Sequence, residues 1–283
     1  MRQVIFLWIF LAAILFYGCR SQPLPLEEPP LSLALSFQGI EADDPANLRL
    51  LFDLESENQP TSGANARIVS WHVEVDGHDA GAAFSLDHPQ GDFSLATPVP
   101  LRLDMDITAL TAQGLAPKEE YDVTLIAELD FSPAVGQSNR IVVRGHAVFP
   151  GVRPPVFSIT EIAILKAELI NTRFRVGLQI DNPNPFPLEL SAFNYSLYGN
   201  GMFWAGGVER NVLVVNGNST LSGNLFLLMN FMGMNRRLLD QIILLEDVRY
   251  RFTGNVQVST GIEHLPVFSD SFELSGFSQV LDR

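Results

Sequence analysis

Along most of its length the chain alternates apolar and polar residues with a period of two. Phe174, Val176, Leu178 and Ile180 are interleaved with Arg173, Arg175, Gly177 and Gln179. Tyr250, Phe252, Gly254, Val256 and Val258 repeat the rhythm, as do Leu50, Phe52 and Leu54, and the run Tyr121, Val123, Leu125, Ala127 and Leu129. Such alternation sends successive side chains to opposite faces of an extended chain, one toward a core and one toward water. It predicts strands. Val212 to Val215 is apolar at every position, which predicts a strand covered on both sides or one leaving its sheet. A single stretch breaks the period. Over 235–247, Leu238, Leu239, Ile242, Ile243 and Leu245 fall at helical spacing, with Asn235 placed to cap the first turn.

The plan occurs twice. In the second half Asn182 is followed by Tyr195 after 13 positions, and Tyr195 by Gly201 after 6. In the first half Asn58 is followed by Trp71 after 13, and Trp71 by Gly77 after 6. Upstream, Leu50, Phe52 and Leu54 match Phe174, Val176 and Leu178. Downstream, the strand from Tyr121 is matched to the one from Tyr250. Between them, 104–120 takes the place of the helix, against the resistance of Gly114 and Pro117. Agreement in order across a whole half predicts a tandem duplication. The boundary falls in Pro150-Gly151-Val152-Arg153-Pro154-Pro155, where prolines forbid strand continuation and stiffen the joint. The expected division is 31–150 and 156–283, each of about 120–130 residues, with a joint at 151–155.

Ahead of the first strand, Val4 to Tyr17 is an unbroken apolar run preceded by Arg2 and followed by Gly18-Cys19. It is short for a bilayer crossing, which takes about 20 residues, and suits the core of a signal peptide over 1–18. Cys19 is the only cysteine of the chain, so no internal disulfide forms. The segment resembles a bacterial lipobox with Gly18 at the cut and Cys19 as the acylated residue. Phe16 and Tyr17 depart from the usual leucine and small residue of that pattern. The expectation is a lipoprotein of the bacterial cell envelope, tied to the membrane by its lipid and facing the periplasm or the cell surface. Pro23, Pro25, Pro29 and Pro30 make 19–30 a stiff extended tether.

Composition narrows the function. Hydrophobic residues make up 47% of the chain and include 20 Phe, enough for packed cores. The net charge of −14 is concentrated in the front, where 20–153 carries 20 acidic against 8 basic residues. An acidic surface with no basic run cannot release counterions from a phosphate backbone, so nucleic acid is excluded as a partner.

Asn182-Pro183-Asn184-Pro185-Phe186-Pro187-Leu188, after an alternating strand and before Tyr195-Ser196-Leu197-Tyr198-Gly199, resembles the signature of the late-embryogenesis-abundant type 2 family, also called the water-stress and hypersensitive-response (WHy) domain. Each Asn precedes a proline and is pushed to extended geometry, while its amide is free to bond nearby backbone. The motif predicts a rigid corner, with Asn182 bonded to backbone that the prolines leave unpaired. The first copy keeps only Asn58 and Pro60 of it, with Trp71 in the place of Tyr195. The resemblance implies an all-β fold of two tandem immunoglobulin- or fibronectin III-like β-sandwich domains, each with about one helix, the helix clearer in the second. It also implies desiccation or stress protection without catalytic residues. The expected function is non-enzymatic, stress-protective or chaperone-like binding to envelope proteins or lipids. The alternative is a structural or adhesive spacer presenting sandwich loops to a protein partner.

Catalytic signatures are missing from the sequence. The five histidines, His72, His78, His88, His146 and His264, have no metal-ligand spacing, so no metal or cofactor is expected. His72 and His78 are placed around an Asp76-Gly77 turn. Asp104 and Asp106 alternate on a strand and so share one wet face. There is no nucleophile elbow, phosphate loop or dinucleotide fingerprint. Gly199-Asn200-Gly201 and Asn216-Gly217-Asn218 read as hairpin turns supplying positive φ. Trp71, Phe203 and Trp204 are assigned to the sandwich cores in preference to an aromatic recognition surface.

Overall fold

The alternating segments are strands. The computed structural model describes residues 32–56, 63–115, 117–133, 137–166, 172–229, 248–278 and 281–282. In the first half these are β1 (Leu33–Asp44), β2 (Asn47–Ser56), β3 (Asn65–Val75), β4 (His78–Asp79), β5 (Phe84–Asp87), β6 (Phe93–Ser94), β7 (Val99–Asp106), a short helix α1 (Ile107–Ala112), β8 (Glu120–Ser132) and β9 (Asn139–Pro150). The second half contributes β10 (Val156–Lys166), β11 (Thr172–Asn182), β12 (Leu188–Gly199), β13 (Met202–Glu209), β14 (Leu213–Val215), β15 (Ser219–Met229), β16 (Val248–Ser259), β17 (Val267–Ser278) and β18 (Leu281–Asp282).

The order of the central strands recurs, while β5 beside β7 and β18 beside β10 have no counterpart in the other half. In the first half β1-β2-β7-β5 form one sheet and β4-β3-β8-β9 the other, with β6 added to β3. In the second, β10, β11 and β15 take the places of β1, β2 and β7, while β13-β12-β16-β17 repeat β4-β3-β8-β9 and β14 repeats β6. The first hairpin carries two register shifts in each half, at Phe37/Gly39 and Ala42/Asp44 and again at Ile159/Glu161 and Ile164/Lys166. Both β3–β4 and β12–β13 turn through two residues of positive φ, Asp76-Gly77 and Asn200-Gly201. This is the primed turn whose twist fits a hairpin. Each turn also donates a backbone N–H to the strand behind it, Asp76 to the Asp122 carbonyl and Asn200 to that of Arg249.

The fold is therefore an all-β sandwich. Inward residues of both sheets meet in a dry core: Leu50, Phe52, Leu54, Leu103 and Leu125 in the first half, Phe174, Val176, Leu197, Phe252 and Val258 in the second. Among the described residues no strand of one half pairs with a strand of the other, yet the chain from Leu33 onward packs as one unit.

Four details differ from the sequence reading. The matched turn bonds place Asp122 opposite Arg249, so Tyr250 corresponds to Val123, two residues beyond the expected Tyr121. A slip of two keeps every side chain on its face, which is why periodicity missed it. Second, helix occupies only Ile107–Ala112 of the region 104–120. Asp104 and Asp106 lie on β7, and Asp106 caps the helix by accepting from the Thr108 and Ala109 N–H groups. Gly114, at φ +87°, follows its C-terminus. The helix expected over 235–247 lies outside the described residues. Third, Val212 to Val215 is no doubly covered strand: Val212 and Val214 are exposed, Val215 is buried, and β14 pairs only with the start of β12. Fourth, Gly217 lacks the expected positive φ, which Asn218 carries. Gly217 is needed instead because a Cβ there would collide with the Pro185 carbonyl.

Candidate functional site

The residues that the sequence marks most strongly form a buried polar corner where β11 ends. Asn182 and Asn184 are 2% and 0% exposed. The Asn182 amide donates to the carbonyls of Phe186 (2.8 Å), Val215 (3.0 Å) and Asn216 (3.1 Å). Its Oδ1 accepts from the backbone N–H and the Nδ2 of Asn184, both at 2.9 Å. Asn184 then grips Arg153 like a strand partner: its Nδ2 donates to the Arg153 carbonyl and its Oδ1 accepts the Arg153 N–H, each at 2.8 Å. Both lone-pair and donor sides of the two amides are engaged, which is what a buried amide requires. Pro183 and Pro185 fix the turn between them and have no N–H to leave unpaired.

This corner meets the joint. Gly151 donates its N–H to the Glu119 carbonyl of the first half, and a Cβ at Gly151 would strike the Lys118 carbonyl. Two residues later Arg153 is held by Asn184 of the second half. Nearby, His264 lies edge-on to Phe149 at 6.1 Å, and Phe149 stacks on Tyr121 at 5.7 Å. Burial holds the His264 imidazole below its ordinary value and pushes the Tyr121 phenol up. An open cleft of about 830 Å³ lies here, lined by Glu41, Asp43, Asp44, Asp104, Asp106 and His264. Its carboxylates are already spoken for in part: Asp104 pairs with Arg49 at 2.6 Å, and Asp44 closes the β1–β2 turn.

The other marked residues are dispersed. Cys19, Asn58 and Pro60 lie outside the described residues. Tyr195 is half-buried between Phe193 (5.4 Å) and Phe252 (5.9 Å), and burial raises its phenol. Trp71 is half-buried on β3 opposite Ala127. The three aromatic residues assigned to the cores separate. Trp204 is buried against Phe174, whereas Phe203 is 57% exposed beside Tyr198. Adjacent residues of a strand face opposite sides, so Phe203 and Trp204 cannot both enter the core; the extra residue of β13 opposite Leu197/Tyr198 buries Trp204 together with Ala205. His78 sits at the Asp76-Gly77 turn, opposite Val75, while His72 lies further back on β3 and faces Glu74. Among the described residues no cluster of His, Cys, Asp and Glu could hold a metal.

Sequence reasoning missed the exposed apolar positions in the second half. Phe226 and Leu228 are each 60% exposed on β15, an edge of its sheet. The edge is an edge among the described residues, and the two side chains lie at the polar positions of an alternating strand. That violation of the pattern is the signal that marks them.

Fold and corner together define the class: an all-β sandwich protein with a buried asparagine corner at its central joint. No family model matches the chain, and no curated protein matches it in sequence. Solved structures similar to it include a protein from Archaeoglobus fulgidus, at 18% identity over 44% of this chain and 97% of that one, with a TM-score of 0.27. A candidate lipoprotein, ycdA, from Bacillus subtilis is 14% identical over 43% of this chain and 36% of its own, with a TM-score of 0.25. A protein of unknown function from Porphyromonas gingivalis is 15% identical over 87% and 99%, also at 0.25. Likeness at this level assigns no activity.

Proposed function

We propose that the chain is a non-enzymatic envelope lipoprotein, anchored through Cys19, that makes stress-protective, chaperone-like contact with unfolding proteins. The recurrent strand order is read as the trace of a duplication, and the Asn182–Asn184 corner as that of the type 2 late-embryogenesis-abundant (WHy) motif. The observation that carries the function is the β15 edge. Edge strands are ordinarily blunted by charge, proline or cover, because their free backbone groups recruit other strands. β15 instead displays Phe226 and Leu228 on its wet face. An extended client adding to this edge would pair its backbone with β15 and lay apolar side chains against the two residues. The full chain should therefore suppress light scattering by lactate dehydrogenase during heating or drying, and the Phe226→Ser/Leu228→Ser variant should lose that protection at unchanged melting temperature. Equal protection by the variant, or none by the native chain, defeats the reading.

A second reading, a spacer that presents sandwich loops to a partner, is favoured by one observation. The joint is clamped on both sides, through Gly151 to the first half and Arg153 to the second.

A further inference from the structure

We infer that the outer face of the sheet built on β12 and β16 is a binding groove for a neutral oligosaccharide.

The first half provides an internal comparison. Its equivalent face, on β3, β8 and β9, is a closed network of paired groups. Arg140 bonds Asp130 at 3.1 Å and Glu128 at 3.4 Å, Arg67 reaches Asp130 at 3.6 Å, Ser70 donates to Glu128, and His146 lies 3.2 Å from Asp122. That is how a solvated sheet face satisfies itself. On the second half the same face carries Ser196, Thr253, Asn255, Gln257, Ser269 and Ser271, whose side chains make no hydrogen bond with the described residues. Two copies of one fold have thus diverged from paired charge to unpaired, uncharged donors and acceptors.

The face is also recessed. A depression of about 310 Å³ lies over Ser196, Gly206, Val208, Thr253 and Asn255, and a second of about 270 Å³ lies over Gln257, Ser269, Asp270 and Ser271. Both include Asn194 and Asn255, so they form one groove across β13, β12, β16 and β17. A bulge shapes it. The β12–β16 register breaks between Ser191 and Asn194, and Ala192 there adopts φ +50°, a conformation costly for a residue with a Cβ. The Asn194 amide donates to the Ala192 carbonyl at 2.8 Å, fixing its own orientation on the groove. Backbone strain held in place by surrounding structure is a mark of binding sites.

The lining selects the occupant. Amide and hydroxyl side chains both donate and accept, as sugar hydroxyls do. At one end the exposed Phe203 ring, held edge-on to Tyr198 at 5.7 Å, offers a face on which a pyranose can stack. Of the basic groups at that end, Arg251 is already placed over Tyr198 at 4.3 Å and against Glu273 at 3.7 Å, and Arg249 lies exposed two residues before it on β16. On a chain of net charge −14, with the Asp270 carboxylate lining the second depression, the groove disfavours anionic polymers. From Ala192 to Tyr198 the groove runs about 20 Å at ~3.3 Å per strand residue, room for a short oligosaccharide.

The test is calorimetric titration of the full chain in lipid nanodiscs with cellohexaose, maltoheptaose and chitohexaose, and with hexagalacturonate as the anionic counterpart. At least one neutral chain binds, and hexagalacturonate does not. Asn255→Ala/Gln257→Ala, which removes no internal hydrogen bond, weakens binding at least about tenfold, the worth of one or two lost hydrogen bonds. Phe203→Ala weakens it independently, and Arg140→Ala on the first half leaves it unchanged. Absence of binding to all three neutral chains overturns the inference, as does binding that both groove variants leave intact or a preference for hexagalacturonate.

Discussion

Asn182 shows how far a single side chain can organise a corner. Its amide faces three carbonyls and its oxygen faces two donors. Asn182→Ala strands these groups in a buried place and should cost about 1–3 kcal/mol, measured by urea denaturation. Asn182→Asp keeps the shape but turns a donor into a carboxylate against three carbonyls, so it should cost more than Ala. A purely steric corner would rank them the other way. The sequence shows this role in part. An asparagine before a proline after a strand announces a side-chain-to-backbone corner. It does not announce that the carbonyls belong to Val215 and Asn216, or that Asn184 holds Arg153, because those partners are set by how β14 and the joint fold back.

At the scale of elements, strands and turns were legible because both rest on local rules. Alternation gave the faces, and Asp76-Gly77 and Asn200-Gly201 gave hairpins of the primed type. What alternation cannot see is a register slip of two, hence the displacement of Tyr121 by Val123, or a bulge that buries the neighbours Trp204 and Ala205 together. Gly199 belongs to this second kind. A Cβ at Gly199 would run into the Trp204 indole, so Gly199→Ala must displace a core aromatic and should destabilise by several kcal/mol, about 3 by analogy with other core disruptions. Ala192→Gly relieves the strained bulge and should be neutral or stabilising by up to about 1 kcal/mol, whereas glycine in an ordinary strand position weakens it. Chemical denaturation of the two glycine-exchange variants checks both signs.

For the whole molecule, the segment 151–155 is where the two halves of the chain meet. His264 lies at this junction, and burial, opposed more weakly by Glu263, holds its pKa below the ordinary value. The unfolded chain takes up that proton near about 6.5. Between the two values the unfolded state binds more protons, so the stabilising contribution is complete above about 6.5 and is lost as pH falls toward the folded pKa. His264→Gln should flatten the fall in melting temperature between pH 7 and 5; an unchanged slope would assign that loss elsewhere. The front-loaded acidity was plain in the sequence, but its gathering into a cleft facing His264 was not, since four separate segments of the chain build it. The central claim, that β15 receives unfolding clients, is tested most directly by hydrogen exchange on the full chain with and without heat-denatured lactate dehydrogenase. The account predicts slowed exchange confined mainly to β15, lost in Phe226→Ser/Leu228→Ser. Slowed exchange elsewhere with β15 unchanged would contradict it.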